Sequence, residues 1–251
     1  MDGSRFHDNK FMCKKYIDDR NNYCESRKRG DELYSRGVSW NHARAPPLIL
    51  YTIEMRLLVA TTNPGKMTEI VLALSDPTIN VFGLDSFRLR SHPEETGSTF
   101  ADNALLKARF YHAATGLPTV SDDSGLEVDA LEGRPGVFSA RYAGALSTDQ
   151  DRIDKLLREI KGVPLEKRGA RFVCAAALVW EREEVVFYGE VRGSILEEPR
   201  GKLGFGYDPV FYHNGLGRTF AEMTVDQKSS VSHRGIALAR LASWIKLSDL
   251  N

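Results

Sequence analysis

A chain of 251 residues, 42% hydrophobic and 27% charged, holds material for one substantial core or two small ones and reads as an ordinary globular protein. Lys+Arg and Asp+Glu number 34 each, so no global field draws the chain onto nucleic acid or an anionic membrane, and any phosphate binding has to be local. The three cysteines, Cys13, Cys24 and Cys174, show no CxxC or Cys/His spacing; this argues against a disulfide framework and a zinc site and makes a reducing cytoplasm the default.

Residues 1–54 carry Arg, Lys, Asp and Asn clusters without a sustained apolar period or a secretory signal, and they approach their end in the turn-like Ala45-Pro46-Pro47. The apolar stretch over 47–60 is broken by Glu54 and Arg56 and is shorter than the ~20 residues of a membrane span. Patterning starts at Met55. The expectation is therefore a folded domain over 55–251, with 1–54 a disordered leader or a start-site artefact rather than a targeting or partner-binding arm.

A short buried strand over 56–60 leads into the polar turn Thr61, Thr62, Asn63, Pro64, Gly65, Lys66 and a helix over 67–74. A strand-to-helix turn offers unpaired N–H groups and the positive end of the helix dipole, and Lys66 adds a point charge, which suits a triphosphate. It lacks the spacing and second glycine of a Walker loop, and alone it is equally a plain turn with a solvated lysine. Next, Pro93, Glu94, Glu95, Thr96 and Gly97 precede a helix over 100–109, where Asn103 and Lys107 stand at i and i+4 and share a face. Paired carboxylates at a turn suit a hard cation, although two glutamates before a glycine are more often a solvated acidic turn.

The strand starting at Thr119 is expected to end in Asp122, Asp123, Ser124 and Gly125, putting two carboxylates at the rim of a sheet. There they repel each other unless a cation or a proton intervenes. Mg²⁺ takes one or two carboxylates and completes its shell with water and phosphate oxygens, so it fits better than an ordinary Asp-Asp-Ser-Gly turn. Ile153, Leu156, Leu157 and Ile160 then mark an amphipathic helix behind a Thr148/Asp151 capping pair. The β-branched and apolar runs over 172–180 and 185–191 predict a hairpin with a charged turn.

Two further segments carry chemistry. Phe205 lies between Gly204 and Gly206, ahead of Tyr207 and Asp208, and such an aromatic can offer its ring face to a planar base. Lys228, His233 and Arg234 approach the last helix, whose stripe of Leu238, Leu241, Ala242 and Ile245 Ser232 can cap; they supply donors for base or phosphate oxygens. Singly each has a bland reading: a core aromatic, a cap neighbour, a solvated charge. The alternation of strand and helix signals indicates an α/β architecture.

Taken together and in this order, the segments resemble the inosine triphosphate pyrophosphatase family of noncanonical purine nucleoside triphosphate pyrophosphatases. The resemblance runs from Met55 almost to the C-terminus and also takes in Pro135-Gly136-Val137-Phe138-Ser139-Ala140-Arg141. Thr62, where many members carry glycine, and the leader are the departures. The resemblance implies a long, mixed, strongly curved sheet with helices in two lobes, a central active-site cleft, and a homodimer. It also implies Mg²⁺-dependent hydrolysis of ITP, dITP and XTP to monophosphate and pyrophosphate.

By the same resemblance, Thr61 to Lys66 hold phosphates and Lys107 neutralises the phosphate chain. Glu94 or Glu95, with Asp122 and Asp123, organise Mg²⁺, and Asp123 is the expected base. Ser124 lies near the substrate, while Phe205, Gly206, Tyr207, Asp208, Lys228, His233 and Arg234 surround the purine. Two rivals are a Maf-like nucleotide pyrophosphatase, against which the Phe205–Asp208 and Ser232–Arg234 segments speak, and a nucleotide sensor without turnover. The acidic pair beside two lysines favours turnover.

Overall fold

A computed structural model describes residues 14–17, 23–29, 32–35, 55–89, 91–181 and 183–248. The chain divides into two compact units, Met1–Tyr51 and Thr52–Asn251. In the first, the described residues form an antiparallel meander of β1 (Lys14–Ile17), β2 (Tyr23–Arg29) and β3 (Glu32–Ser35). The sequence reading places no strand there. Backbone ladder bonds are open to any residue but proline, so strands of this kind need no apolar alternation to pair.

The second unit is built on one seven-stranded mixed sheet, in the order β10-β9-β8-β7-β6-β4-β5. β4 (Met55–Val59) runs parallel to β5 (Ile79–Phe82) and to β6 (Thr119–Val128). From β6 onward, pairing is antiparallel through β7 (Gly169–Trp180), β8 (Glu183–Ile195), β9 (Phe211–His213) and β10 (Arg218–Thr219). The expected hairpin is β7–β8, with Glu181 in its turn at a positive φ of 51°.

The three central strands are long enough to serve several cores. At one end Cys174, Ala176 and Leu178 of β7 pack with Leu238 and Leu241 of α5 (His233–Leu247). Their alternating neighbours Ala175, Ala177 and Val179 meet Phe100, Ala104 and Ala108 of α2 (Phe100–Thr115) on the opposite face. The small alanines let α2 settle close to the sheet. At the other end of the same strands Leu126 and Phe172 share a core with Ile153, Leu156 and Ile160 around α3 (Asp149–Glu159). Among the described residues no helix is long and apolar enough to cross a membrane.

Three boundaries differ from the sequence reading. α1 (Pro64–Ala73) starts three residues before the expected helix, because Pro64 suits the first helical turn and Asn63 caps it. α2 continues to Thr115 and stops at Gly116, which takes the left-handed conformation at φ 71°. Most consequential for the site, β6 does not end at the acidic pair but continues to Val128. Asp122 and Asp123 lie mid-strand, opposite Ala176 and Ala175 of β7.

Candidate active site

Because side chains alternate along a strand, a mid-strand Asp122-Asp123 pair sends its carboxylates to opposite faces of the sheet. The predicted mutual repulsion at a sheet rim is thereby relieved by geometry, and each carboxylate acquires its own cations. Asp122, 1% exposed, accepts from Lys66 Nζ at 3.1 Å and Arg234 Nε at 3.0 Å. Burial alone would raise its carboxyl, but Lys66, Arg234 and Lys107 hold it far below the usual range. Ser124, two residues on and on the same face, accepts from Arg234 Nη2 at 2.7 Å.

Asp123 faces α2. Its Oδ2 accepts from Asn103 Nδ2 at 3.1 Å, its Oδ1 from the Ser124 N–H at 3.0 Å, and Lys107 Nζ stands 3.9 Å away. The i, i+4 spacing of Asn103 and Lys107 thus aims both side chains at one carboxylate. Burial pushes Asp123 above the ordinary aspartate value, and Lys107 and Lys66 offset only part of that shift. Lys107 also donates to Glu95 Oε1 at 2.6 Å. Burial works against its charge, but Asp123, Asp122 and Glu95 keep it cationic.

A cleft of about 580 Å³ opens over these groups. Its lining includes Thr61, Thr62, Asn63, Lys66, Glu95, Lys107 and Asp123. Three of the backbone donors in the Thr61–Lys66 turn are taken. Asn63 Oδ1 accepts from the Gly65 and Lys66 N–H groups at 2.9 and 3.1 Å, and Asn63 N donates to Thr61 Oγ1. An anion here meets Lys66 Nζ and the hydroxyls and amide of Thr61, Thr62 and Asn63 rather than a nest of bare N–H groups.

Phe205, also in the lining, sits between Gly204 and Gly206, both at positive φ, 74° and 61°. Its ring packs against Gly65, where a Cβ would collide with it, so the phosphate turn and the aromatic are fitted to each other. Lys228 Nζ lies 4.5 Å and Arg234 Cζ 5.5 Å from the ring centroid. Asp208 locks the turn by accepting from Phe205 N at 2.9 Å and from Lys228 Nζ at 2.5 Å. His233 stacks on Phe172 at 4.6 Å and 8°. Burial, with Arg234 and Lys228 nearby, lowers its pKa well below the ordinary histidine value, so the ring stays neutral with one donor and one acceptor nitrogen. Its Nδ1 is one of two buried side-chain polar atoms without a partner among the described residues; the other is Asp122 Oδ1.

Residues 57–244 match the Ham1 family model. The chain belongs to the Ham1 family. It is 48% identical over 186 residues to a dITP/XTP pyrophosphatase of Yersinia pseudotuberculosis, a match spanning 73% of this chain and 94% of the relative. A dITP/XTP pyrophosphatase of Streptomyces coelicolor is 46% identical over 194 residues, spanning 76% of this chain and 97% of its own. The solved structure of a HAM1 protein from Coxiella burnetii matches with a TM-score of 0.71 at 41% identity, covering 77% of this chain and 100% of that one.

Against this Ham1 framework, four expected site residues lie off the cleft. Glu94 is exposed while its neighbour Glu95 faces inward. Pro64 and Gly65 build the start of α1. Asp122 lies behind the cleft wall, where it holds Lys66 and Arg234. Every other residue expected of the site lines the cleft. Tyr207, 3% exposed, does so from within the core, its hydroxyl donating to Ser139 O at 3.1 Å.

Sequence reasoning missed Glu69, which is 5% exposed and bound by Lys228 at 2.8 Å and by Arg234 Nη1. Its signal was available: a carboxylate one helical turn after Lys66, next to the apolar Ile70. Asp149 and Arg152 were also missed, and no local pattern points to them.

Proposed function

We propose that this Ham1-family chain is a Mg²⁺-dependent pyrophosphatase for noncanonical purine nucleoside triphosphates, converting ITP, dITP and XTP to the monophosphate and pyrophosphate. The observation that carries the reading is the buried Asp123 carboxylate inside a cleft, flanked by Lys107 and within the field of Lys66, with the aromatic rings of Phe172, Phe205 and Tyr207 in the same lining. The dITP/XTP pyrophosphatases of Yersinia and Streptomyces support the substrate class. The same reading includes a homodimer, on the strength of the sequence resemblance, working in the reducing cytoplasm that the cysteine usage suggests.

The donor set fits Mg²⁺. Glu95 and Asp123 both converge on Lys107 with hard oxygen atoms. One or two carboxylates, with phosphate oxygens and water for the rest, is the usual complement for this ion. When bound, it would supply positive charge at the phosphate oxygens.

The protein's own groups account for the remainder. Asp123, whose carboxyl burial raises above the ordinary aspartate value, accepts a proton from the water attacking the α-phosphorus. The bond from that phosphorus to the bridging oxygen breaks, and pyrophosphate leaves against Lys66 and Lys107. Asn103 keeps the Asp123 carboxylate oriented. At the base end, a 6-oxo purine presents an acceptor to donors on Arg234 and His233, where a 6-amino group would present a donor. Three of Arg234's five N–H groups are committed to Asp122, Glu69 and Ser124, so at most two remain for the base. A nucleoside triphosphate panel with and without Mg²⁺, read separately as pyrophosphate and as orthophosphate, tests this reading. Orthophosphate release, or equal turnover of ATP and ITP, would overturn it.

A further inference from the structure

The Phe205 turn is held from two sides, a buried one and a more exposed one. On the inner side Asp208, fixed by Lys228, accepts from the Phe205 N–H. On the outer side Asp149, at the first turn of α3, accepts from the Gly206 N–H through Oδ2 at 2.6 Å. Arg152, one helical turn on, donates to Asp149 Oδ1 at 2.5 Å, so each carboxylate oxygen has one partner. The same guanidinium is itself anchored: Nη1 donates to Ala140 O at 2.8 Å and Nε to Thr148 O at 3.1 Å. Ala140 follows Ser139, whose carbonyl receives the Tyr207 hydroxyl. Three segments far apart in sequence, 139–140, 148–152 and 205–207, are thus tied into one wall of the cleft, and Arg152 lines it with its side chain 17% exposed.

Resting on the pyrophosphatase reading, we propose that Asp149 and Arg152 are a positioning pair that fixes the Phe205–Gly206 peptide and so sets affinity for the purine base without taking part in phosphate chemistry. Gly206 sits at positive φ and has no side chain to brace the turn, so its N–H is the available handle. The wall it stabilises carries Phe205 and Gly206, whereas Lys107 and Asp123 are held by Glu95, Asn103 and the Ser124 N–H. Base affinity and phosphate turnover therefore separate on mutation.

The experiment uses the full chain. Asp149→Ala removes the acceptor and Arg152→Ala its anchor; Asp149→Asn keeps an acceptor oxygen for Gly206. KM and kcat for ITP are measured alongside calorimetric binding of IMP, which carries the base, and of pyrophosphate, which does not. A charge-assisted hydrogen bond of this kind corresponds to a KM increase of about tenfold in Asp149→Ala. Weakening of IMP binding should match it, with kcat and pyrophosphate affinity little changed and only part of the loss recovered in Asp149→Asn, whose amino group faces the Arg152 donor. Arg152→Ala should shift the same two parameters in the same direction, which keeps the test open if Asp149→Ala fails to fold. Equal losses of IMP and pyrophosphate binding, or a fall in kcat at constant KM, would overturn the pair's role while leaving the pyrophosphatase reading intact. A wild-type protein that releases no pyrophosphate from ITP would overturn both.

Discussion

Asp123→Asn puts an amino group where both carboxylate oxygens already accept, Oδ2 from Asn103 Nδ2 at 3.1 Å and Oδ1 from the Ser124 N–H at 3.0 Å. Whichever way the new amide turns, its nitrogen faces one of these donors, so one hydrogen bond is lost and a donor–donor contact replaces it. In a buried place that costs ~1–3 kcal/mol. Lys107 loses an anion at 3.9 Å but keeps Glu95 at 2.6 Å, so its ammonium stays in the cleft. Against a domain stability of ~5–15 kcal/mol the variant should remain folded, with a modest drop in Tm. Turnover should suffer far more. The amide takes no proton from water and is a poorer Mg²⁺ ligand, so kcat should fall by ~10²–10⁴, the scale of a positioned base. Pyrophosphate release at saturating ITP and Mg²⁺, run beside ITP-binding calorimetry and a melting curve, measures all three quantities. A variant with near-wild-type kcat would refute the assignment of Asp123 as base; loss of ITP binding in step with kcat would make its role one of substrate attachment.

The remaining predictions follow from the same network. A chain starting at Met55 should match the full chain in Tm and in turnover, since β4 begins there and every cleft residue follows it; a large drop in either would show that 1–54 contributes to the domain. Arg234→Ala leaves Asp122 and Glu69 buried without their shared guanidinium, and breaking a buried pair costs ~3–5 kcal/mol, so melting should shift strongly downward. Its residual activity should fall more for ITP than for ATP, and equal losses would remove Arg234 from base recognition. Burial alone would raise Asp122 and Glu69, but the cations facing them, chiefly Arg234 with Lys66 on one side and Lys228 on the other, hold both below the ordinary carboxylate range. Depressed folded-state values give stability that is fully present above the unfolded value of about 4 and is lost as pH falls through the folded ones. His233, held neutral by burial, contributes stability that is likewise lost as pH falls below the unfolded histidine value of about 6.5. Tm should therefore begin to decline below about pH 6 and fall further below about pH 4; a Tm unchanged from about pH 7 down to 4 would contradict this account.

Local chemistry made much of this protein legible from its residues. The helix stripe of Ile153, Leu156 and Ile160, the Thr148/Asp151 box and the Ser232 cap all reappear as expected, because capping and 3.6-residue periodicity act within a few positions of the chain. The i, i+4 spacing of Asn103 and Lys107 likewise foretold a shared target, since helical geometry fixes which side chains lie together. The order of the motifs was enough for the resemblance, and the Ham1 family match over 57–244 bears it out. The sequence misled where a local signal competes with a longer pairing. Asp-Asp-Ser-Gly is turn-like by composition, yet ten ladder partners on β7 carry β6 straight through it.

That single change decides the site. With the strand continuous, alternation parts the two aspartates, giving Asp122 to Lys66 and Arg234 and Asp123 to Asn103 and Lys107. No reading of the motif alone could make that division, because it depends on which helix covers which face. The same holds for Glu69, Asp149 and Arg152. Their partners stand 165 positions away for Glu69 with Arg234 and 57 for Asp149 with Gly206. Local sequence carries no record of contacts that form only when distant segments pack, so most of the acidic and basic residues of the cleft were visible in the sequence, Asp149 and Arg152 were not, and the pairing of all of them was set by the tertiary fold.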